Sequence, residues 1–416
     1  MMPLNFERDL ARAVRGHGLG WLVAANLVGV GLALVLVWPG LGSWLGPLSY
    51  GRWVPVHLNA QLYGWCSLPL VGALMAACLV PRHPGALSHA RLALAVWSLV
   101  LAGGAVTWLS GHTSGKLFLD WSGWSRVALG LAMCLLWTYL ATHLWWGRER
   151  SSTGRWRVAA TSVAVLLGVP VALFWSAGRE VYPAVNPHSG GATGAALLGS
   201  TLGIVVVFGM LPILLGQARR WRTGWFWWAL AASLLVFMVI DHGSVSHHDP
   251  VQILALGLLL CWIPGLWLYG RAWAWSAGSR PWLFAAGGWW ALLLASGWVS
   301  FLPGVSESWK FTNALVAHAH LAMAGLVTAV NFVVLNELHP ARPVGRLAVF
   351  WAWQTGAAVH VVLLLGLGLV EAERPTDLWT SVPCTQAVYL GRALAGAVMA
   401  GASVQAWREA MAEGTG

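Results

Sequence analysis

Repeated runs of about 20 apolar residues, almost free of charge, constrain this chain more than any other feature. Wound as a helix, a run of that length spans the hydrocarbon core of a bilayer. Twelve such runs can be counted, over residues 19–37, 56–80, 92–109, 126–146, 159–175, 195–215, 226–241, 251–269, 283–302, 314–335, 347–370 and 387–407. With 58% hydrophobic and 9% charged residues in 416 positions, little sequence is left over for a soluble domain. The expectation is an all-α polytopic membrane protein of twelve transmembrane helices, one membrane domain over 1–416. The first run lacks a small-residue cleavage pattern and more runs follow it, so it reads as a retained helix.

Basic residues fall in alternate connections. Arg8, Arg12, Arg15, Arg82, Arg148, Arg219, Arg220, Arg271, Arg342 and Arg346 lie on one side. The other side carries fewer, among them Arg52, Lys116, Arg179, Lys310, Arg374 and Arg392. The positive-inside rule then places both termini in the cytoplasm. The net charge of +10 is this topological signal rather than a nucleic-acid surface. The five cysteines show no metal-ligand spacing and read as small apolar residues. The 31 tryptophans suit interfacial anchoring, and those inside spans could wall a planar cofactor.

Histidines carry the chemistry. In the run Phe311-Thr-Asn-Ala-Leu-Val-Ala-His318-Ala-His320, the two imidazoles lie about 200° apart around a helix at roughly 100° per residue. They face different neighbours, which suits two separate centres better than one shared ion. His57 opens the second span beside Asn59, Gln61 and Tyr63, a polar helix entry. The seventh span ends in Asp241-His242-Gly-Ser-Val-Ser-His247-His248-Asp-Pro250, where Gly243 and Pro250 permit unwinding and two adjacent imidazoles can converge on a metal. With a cytoplasmic N-terminus, His57, His247, His248, His318 and His320 all come to one depth, toward the outer side. His188 sits in the outer loop before the sixth span, with Glu180 and Tyr182. His17, His83, His89, His112 and His143 read as surface groups, and His360 as a packing or hydrogen-bonding residue. Buried imidazoles can also do no more than satisfy polar neighbours in a bundle.

Twelve spans, a histidine opening the second, a His-His pair closing the seventh and His-x-His opening the tenth resemble subunit I of the haem–copper oxidase superfamily. Arg52-x-x-Pro55-x-His57-x-Asn59-Ala60 is similar to the second helix of cbb-type cytochrome c oxidases. His318-Ala-His320-Leu-Ala-Met-Ala-Gly325 is similar to the nitric oxide reductases. The resemblance implies two haems. His57 and His320 would bind a six-coordinate, low-spin haem, and His318 a high-spin haem with one open face. His247 and His248 would hold a second active-site metal, copper or non-haem iron, and Arg52 and Arg392 would pair with propionates. It further implies a multi-pass protein of a bacterial-type inner membrane, reducing O2 or NO with electrons from a cytochrome c-type or other donor subunit.

The chain departs from the family pattern in two places. Family members take a third ligand for the second metal from the sixth helix, yet 195–215 contains no histidine; His188 and His242 are the substitutes at hand. The tyrosine that oxygen-reducing members keep beside the metal has only Tyr182 as a counterpart. Of the 14 acids, none falls in the middle or inner half of these spans, which fits proton uptake from outside without pumping. Two alternatives stay open. One is a diverged haem protein that carries electrons or senses a gas without the second metal; the other is a transporter or insertion factor that holds no haem.

Overall fold

The computed structural model describes residues 4–149, 152–181, 194–240, 249–310, 312–373 and 382–412. Twelve principal helices follow one another: α1 (Leu4–Val37), α2 (Tyr50–Cys78), α3 (Ala86–Leu109), α4 (Gly123–Gly147), α5 (Thr153–Ser176), α6 (Gly194–Leu214), α7 (Gly224–Ile240), α8 (Pro250–Arg271), α9 (Arg280–Val299), α10 (Asn313–Leu338), α11 (Leu347–Glu373) and α12 (Val382–Ala412). Among the described residues there is no strand, only an isolated bridge between Arg219 and Trp273. Ten of these helices are long and apolar enough to cross a membrane, and two shorter apolar stretches are Ser200–Leu214 and Gly224–Val239. The chain is therefore a polytopic, all-helical membrane protein.

Helix direction alternates, as close contacts at the ends show. Met411 packs at Gly16 and Trp407 at Gly20, so the start of α1 and the end of α12 share one end of the bundle. Arginines at that end cap helix C-termini, where unpaired carbonyls and the negative end of the macrodipole attract cations. Arg15 is buried and donates to Leu335 O at 2.9 Å and His339 O at 3.3 Å. Arg155 donates to Leu214 O and Ala76 O, each at 3.0 Å. At the opposite end Arg52 donates to Leu109 O at 2.9 Å, and Lys116 donates to the carbonyls of Ser176, Gly178 and Val181.

Several helices run past their apolar windows, α1 and α10 where polar end groups find partners. α1 begins well before residue 19 because Arg15 docks on α10, and His17 bonds Ser98 Oγ at 2.8 Å within the bundle. α10 continues to Leu338, so Glu337 lies in its last turn, accepting from Gln217 Nε2 and Ser276 N at 2.9 Å each. An acid therefore sits in the last turn of a long apolar helix, at the arginine-rich end of the bundle. α12 starts at Val382 and includes Cys384 in its first turn.

α2 and α10 form the centre. Their most apolar windows are 61% and 72% buried, against 17–39% in the other eight long helices. Each contains a π-helical turn, Ala60–Cys66 in α2 and Leu321–Val327 in α10. A π turn frees carbonyls from the i→i−4 ladder, and side chains take them up here. Trp97 Nε1 donates to Tyr63 O at 2.8 Å, Asn331 Nδ2 to Trp65 O at 2.8 Å and Trp353 Nε1 to Ala324 O at 2.8 Å. The two turns also touch, with Cys66 Sγ 4.0 Å from Met323 Sδ.

Candidate functional site

Both π turns directly follow the expected ligand histidines, three residues after His57 and one after His320. The start of α10 is set from two sides. Thr312 Oγ1 accepts from Ala314 N at 3.2 Å as N-cap, and Glu371 of α11 accepts from Asn313 N and Asn313 Nδ2. A carboxylate at a helix N-terminus satisfies orphan N–H groups and complements the dipole.

For two of the imidazoles the tautomer follows from the partner. His57 Nδ1 lies 2.9 Å from Ala25 O, and His320 Nδ1 lies 2.8 Å from Val316 O. A carbonyl only accepts, so each Nδ1 carries the proton and each Nε2 keeps a lone pair. His318 Nδ1 lies 3.0 Å from Ser296 Oγ. A hydroxyl can donate or accept, so this bond orients the His318 ring without fixing its tautomer. All three rings are oriented through one nitrogen, as metal-ligating imidazoles usually are.

The two histidines of α10 face opposite ways, as their 200° separation requires. His318 faces α9 and lines a cavity of about 150 Å³ with Ser200, Thr201, Leu256, Trp290 and Ala322. Trp290 also lines an apolar cavity of about 230 Å³ that includes Phe208, Leu326 and Val333. His320 faces α11, its ring 4.5 Å from that of His360. His57 and Arg392 lie within electrostatic reach of the same group. Four helices, α2, α10, α11 and α12, thus converge on three imidazoles and one guanidinium. His57 needs Gly29 on α1, where an added Cβ would lie 2.7 Å from its Cε1.

The haem implied for His57 and His320 can be tested against unsatisfied polar atoms. His360 Nδ1, His360 Nε2 and Arg392 Nε are buried without a well-formed hydrogen bond among the described residues. Buried polar groups are otherwise almost always paired. Two available imidazole nitrogens, a second imidazole layer and a guanidinium with an unpaired Nε fit a haem with carboxylate arms.

Of the expected residues, His57, His320 and Arg392 are brought together, and His318 faces the far side of α10. Arg52 is engaged at the C-terminus of α3. His188, His242, His247 and His248 lie outside the described residues, as does Tyr182. Asn59, Gln61 and Tyr63 tie α2 to its surroundings. Asn59 Nδ2 donates to Asp120 Oδ2 at 2.9 Å, Gln61 Nε2 to Asn26 Oδ1 at 3.3 Å and Tyr63 Oη to Phe118 O at 2.9 Å. Sequence reasoning missed His360 as a member of the group, and it missed that His83, His89 and His143 gather into one cluster. No spacing signal connects residues so far apart in the chain.

Fold and site together define a polytopic helical membrane protein with a buried, multi-helix histidine centre. No protein-family model matches the chain, and no curated protein matches it significantly in sequence.

Proposed function

We propose that the chain is the haem-bearing catalytic subunit of a membrane oxidoreductase that reduces a small gas, O2 or NO, with electrons from a cytochrome c-type or similar donor. The observation that carries this reading is the common setting of His57, His318 and His320 on the two most enclosed helices: each is oriented by a hydrogen bond at Nδ1, and in His57 and His320 that bond leaves the Nε2 lone pair available. The wider reading places twelve spans in a bacterial-type inner membrane with both termini cytoplasmic.

Haem iron supplies one-electron exchange where both axial positions are filled and gas binding where one is open. His57 and His320 would fill both positions on one side of α10, which favours electron transfer. His318, alone on the other side, would leave a position open toward the 150 Å³ cavity. Arg392 would offset propionate charge, and His360 would offer a donor or acceptor to the same group. His247 and His248, with His188 or His242, are proposed to hold the copper or non-haem iron. The apolar cavity sharing Trp290 suits a nonpolar gas. Glu337 is held by two hydrogen bonds at the inner end, and no carboxylate follows it into the middle of α10. That favours proton entry from outside without pumping.

A second reading, an electron carrier or gas sensor without turnover, is favoured by the lack of a histidine in 195–215. Haem and metal content of the purified protein, with O2 and NO consumption on the same sample, separates the two. Two haems, a third metal and turnover support the enzyme. Two haems with neither a third metal nor turnover support the carrier or sensor, and no haem refutes both.

A further inference from the structure

The link after α2 and the facing ends of α3 and α4 bring His83, His89 and His143 together at the arginine-rich end of the bundle, away from the haem-type histidines. One ligand atom from each lies within 4.8 Å of the other two. His89 Nδ1 and His143 Nε2 share a hydrogen bond of 3.0 Å. In a tetrahedral zinc site with Zn–N bonds of about 2.0–2.1 Å, neighbouring nitrogens lie about 3.4 Å apart. That pair needs to lose the proton between them and part by about 0.4 Å, and His83 needs to close in by about an ångström.

The rings are built in rather than loose. His83 stacks on Trp146, with centroids 4.5 Å apart and planes 17° apart, and His89 stacks on Tyr139 at 4.5 Å and 6°. His143 is fully buried, whereas His83 and His89 are half-buried. One side of the cluster is therefore open to an entering ion. Coordination would displace three contacts, the His89–His143 hydrogen bond, Val80 N to His143 Nδ1 at 3.4 Å and Gly85 N to His83 Nδ1 at 3.1 Å. The Val80 contact is long and weak.

We propose that His83, His89 and His143 form a metal site for a late first-row divalent ion, with Zn2+ its simplest occupant, clamping the α2–α3 link onto the end of α4. Three neutral imidazoles without a carboxylate suit Zn2+ or Cu2+ and not Mg2+ or Ca2+. Three protein ligands leave a fourth position for water.

The test uses the full-length protein, purified in detergent and stripped with chelator, titrated with Zn2+ while bound metal is counted. Co2+ serves as a spectroscopic probe of tetrahedral geometry. The expected result is one saturable equivalent of Zn2+, bound with micromolar or tighter affinity, that persists in a His247→Ala/His248→Ala variant, and a rise in thermal unfolding midpoint on loading. The double variant His83→Asn/His89→Gln, made at the half-buried positions so that the chain still folds, should weaken binding at least about tenfold. His112→Asn and His57→Ala should leave it unchanged, which separates this site from the haem-type centre. Lack of saturable binding, or equal affinity in the double variant, overturns the proposal.

Discussion

Glu371 grips Asn313 with both carboxylate oxygens, each 2.6 Å from a nitrogen of that residue. One accepts from the backbone N–H that opens α10, and the other from the side-chain amide. His318 and His320 follow within two turns, so this contact sets their height against α2 and α9. Replacing Glu371 with Ala should cost about 1–3 kcal/mol, the range for losing charge-assisted hydrogen bonds at a partly buried site. Thermal unfolding in detergent would read it, together with weaker haem retention. An unchanged midpoint would show that α10 is anchored elsewhere.

The π turn in α10 predicts a cost at Trp353. Its indole is the donor that takes up Ala324 O. Trp353→Phe keeps most of the packing and leaves that carbonyl without its partner, a loss of about 1–2 kcal/mol. Trp228, 80% exposed on the outside of the bundle, should tolerate the same change within about 0.5 kcal/mol. Equal stabilities of the two variants would contradict the role assigned to Trp353.

Close packing of His57 against α1 makes Gly29 sensitive. A methyl group there would meet the imidazole at 2.7 Å and push it off Ala25 O. Gly29→Ala should cost about 1–3 kcal/mol as overpacking and alter the low-spin haem spectrum. Gly31→Ala, with nothing within 4 Å of the added carbon, should change neither.

Asp120, in the loop between α3 and α4, has its carboxyl raised above the usual carboxylate range by burial, despite donors from Asn59 and Thr113. The folded chain thus holds this proton more tightly than the unfolded chain. Its contribution to stability is complete below the ordinary carboxylate pKa and is lost as pH rises through the raised value. Stability measured from acidic to neutral pH should therefore fall more in the native protein than in Asp120→Asn. Parallel pH profiles would refute this.

What the sequence conveyed depended on how local each signal was. Apolar runs marked the spans, because composition alone decides what can lie in lipid. The two-residue offset of His318 and His320 foretold that they face apart, since helix geometry fixes that angle. Helix ends were misplaced where a charged side chain found a distant partner, as Arg15 does on Leu335 O and Glu371 on Asn313. The π turns after His57 and His320 carry no residue-type signature. His360 joins His320 only through the packing of α11 on α10, and His143 meets His89 across 54 positions of chain.

On the proposed function, His57 and His320 hold one haem between them. Optical and paramagnetic resonance spectra of the purified protein, compared with His57→Ala and His320→Ala, test it most directly. The account predicts a bis-histidine low-spin signal in the native protein that disappears in each variant, while a high-spin haem on His318 is retained. A bis-histidine signal that survives in either variant would contradict the account.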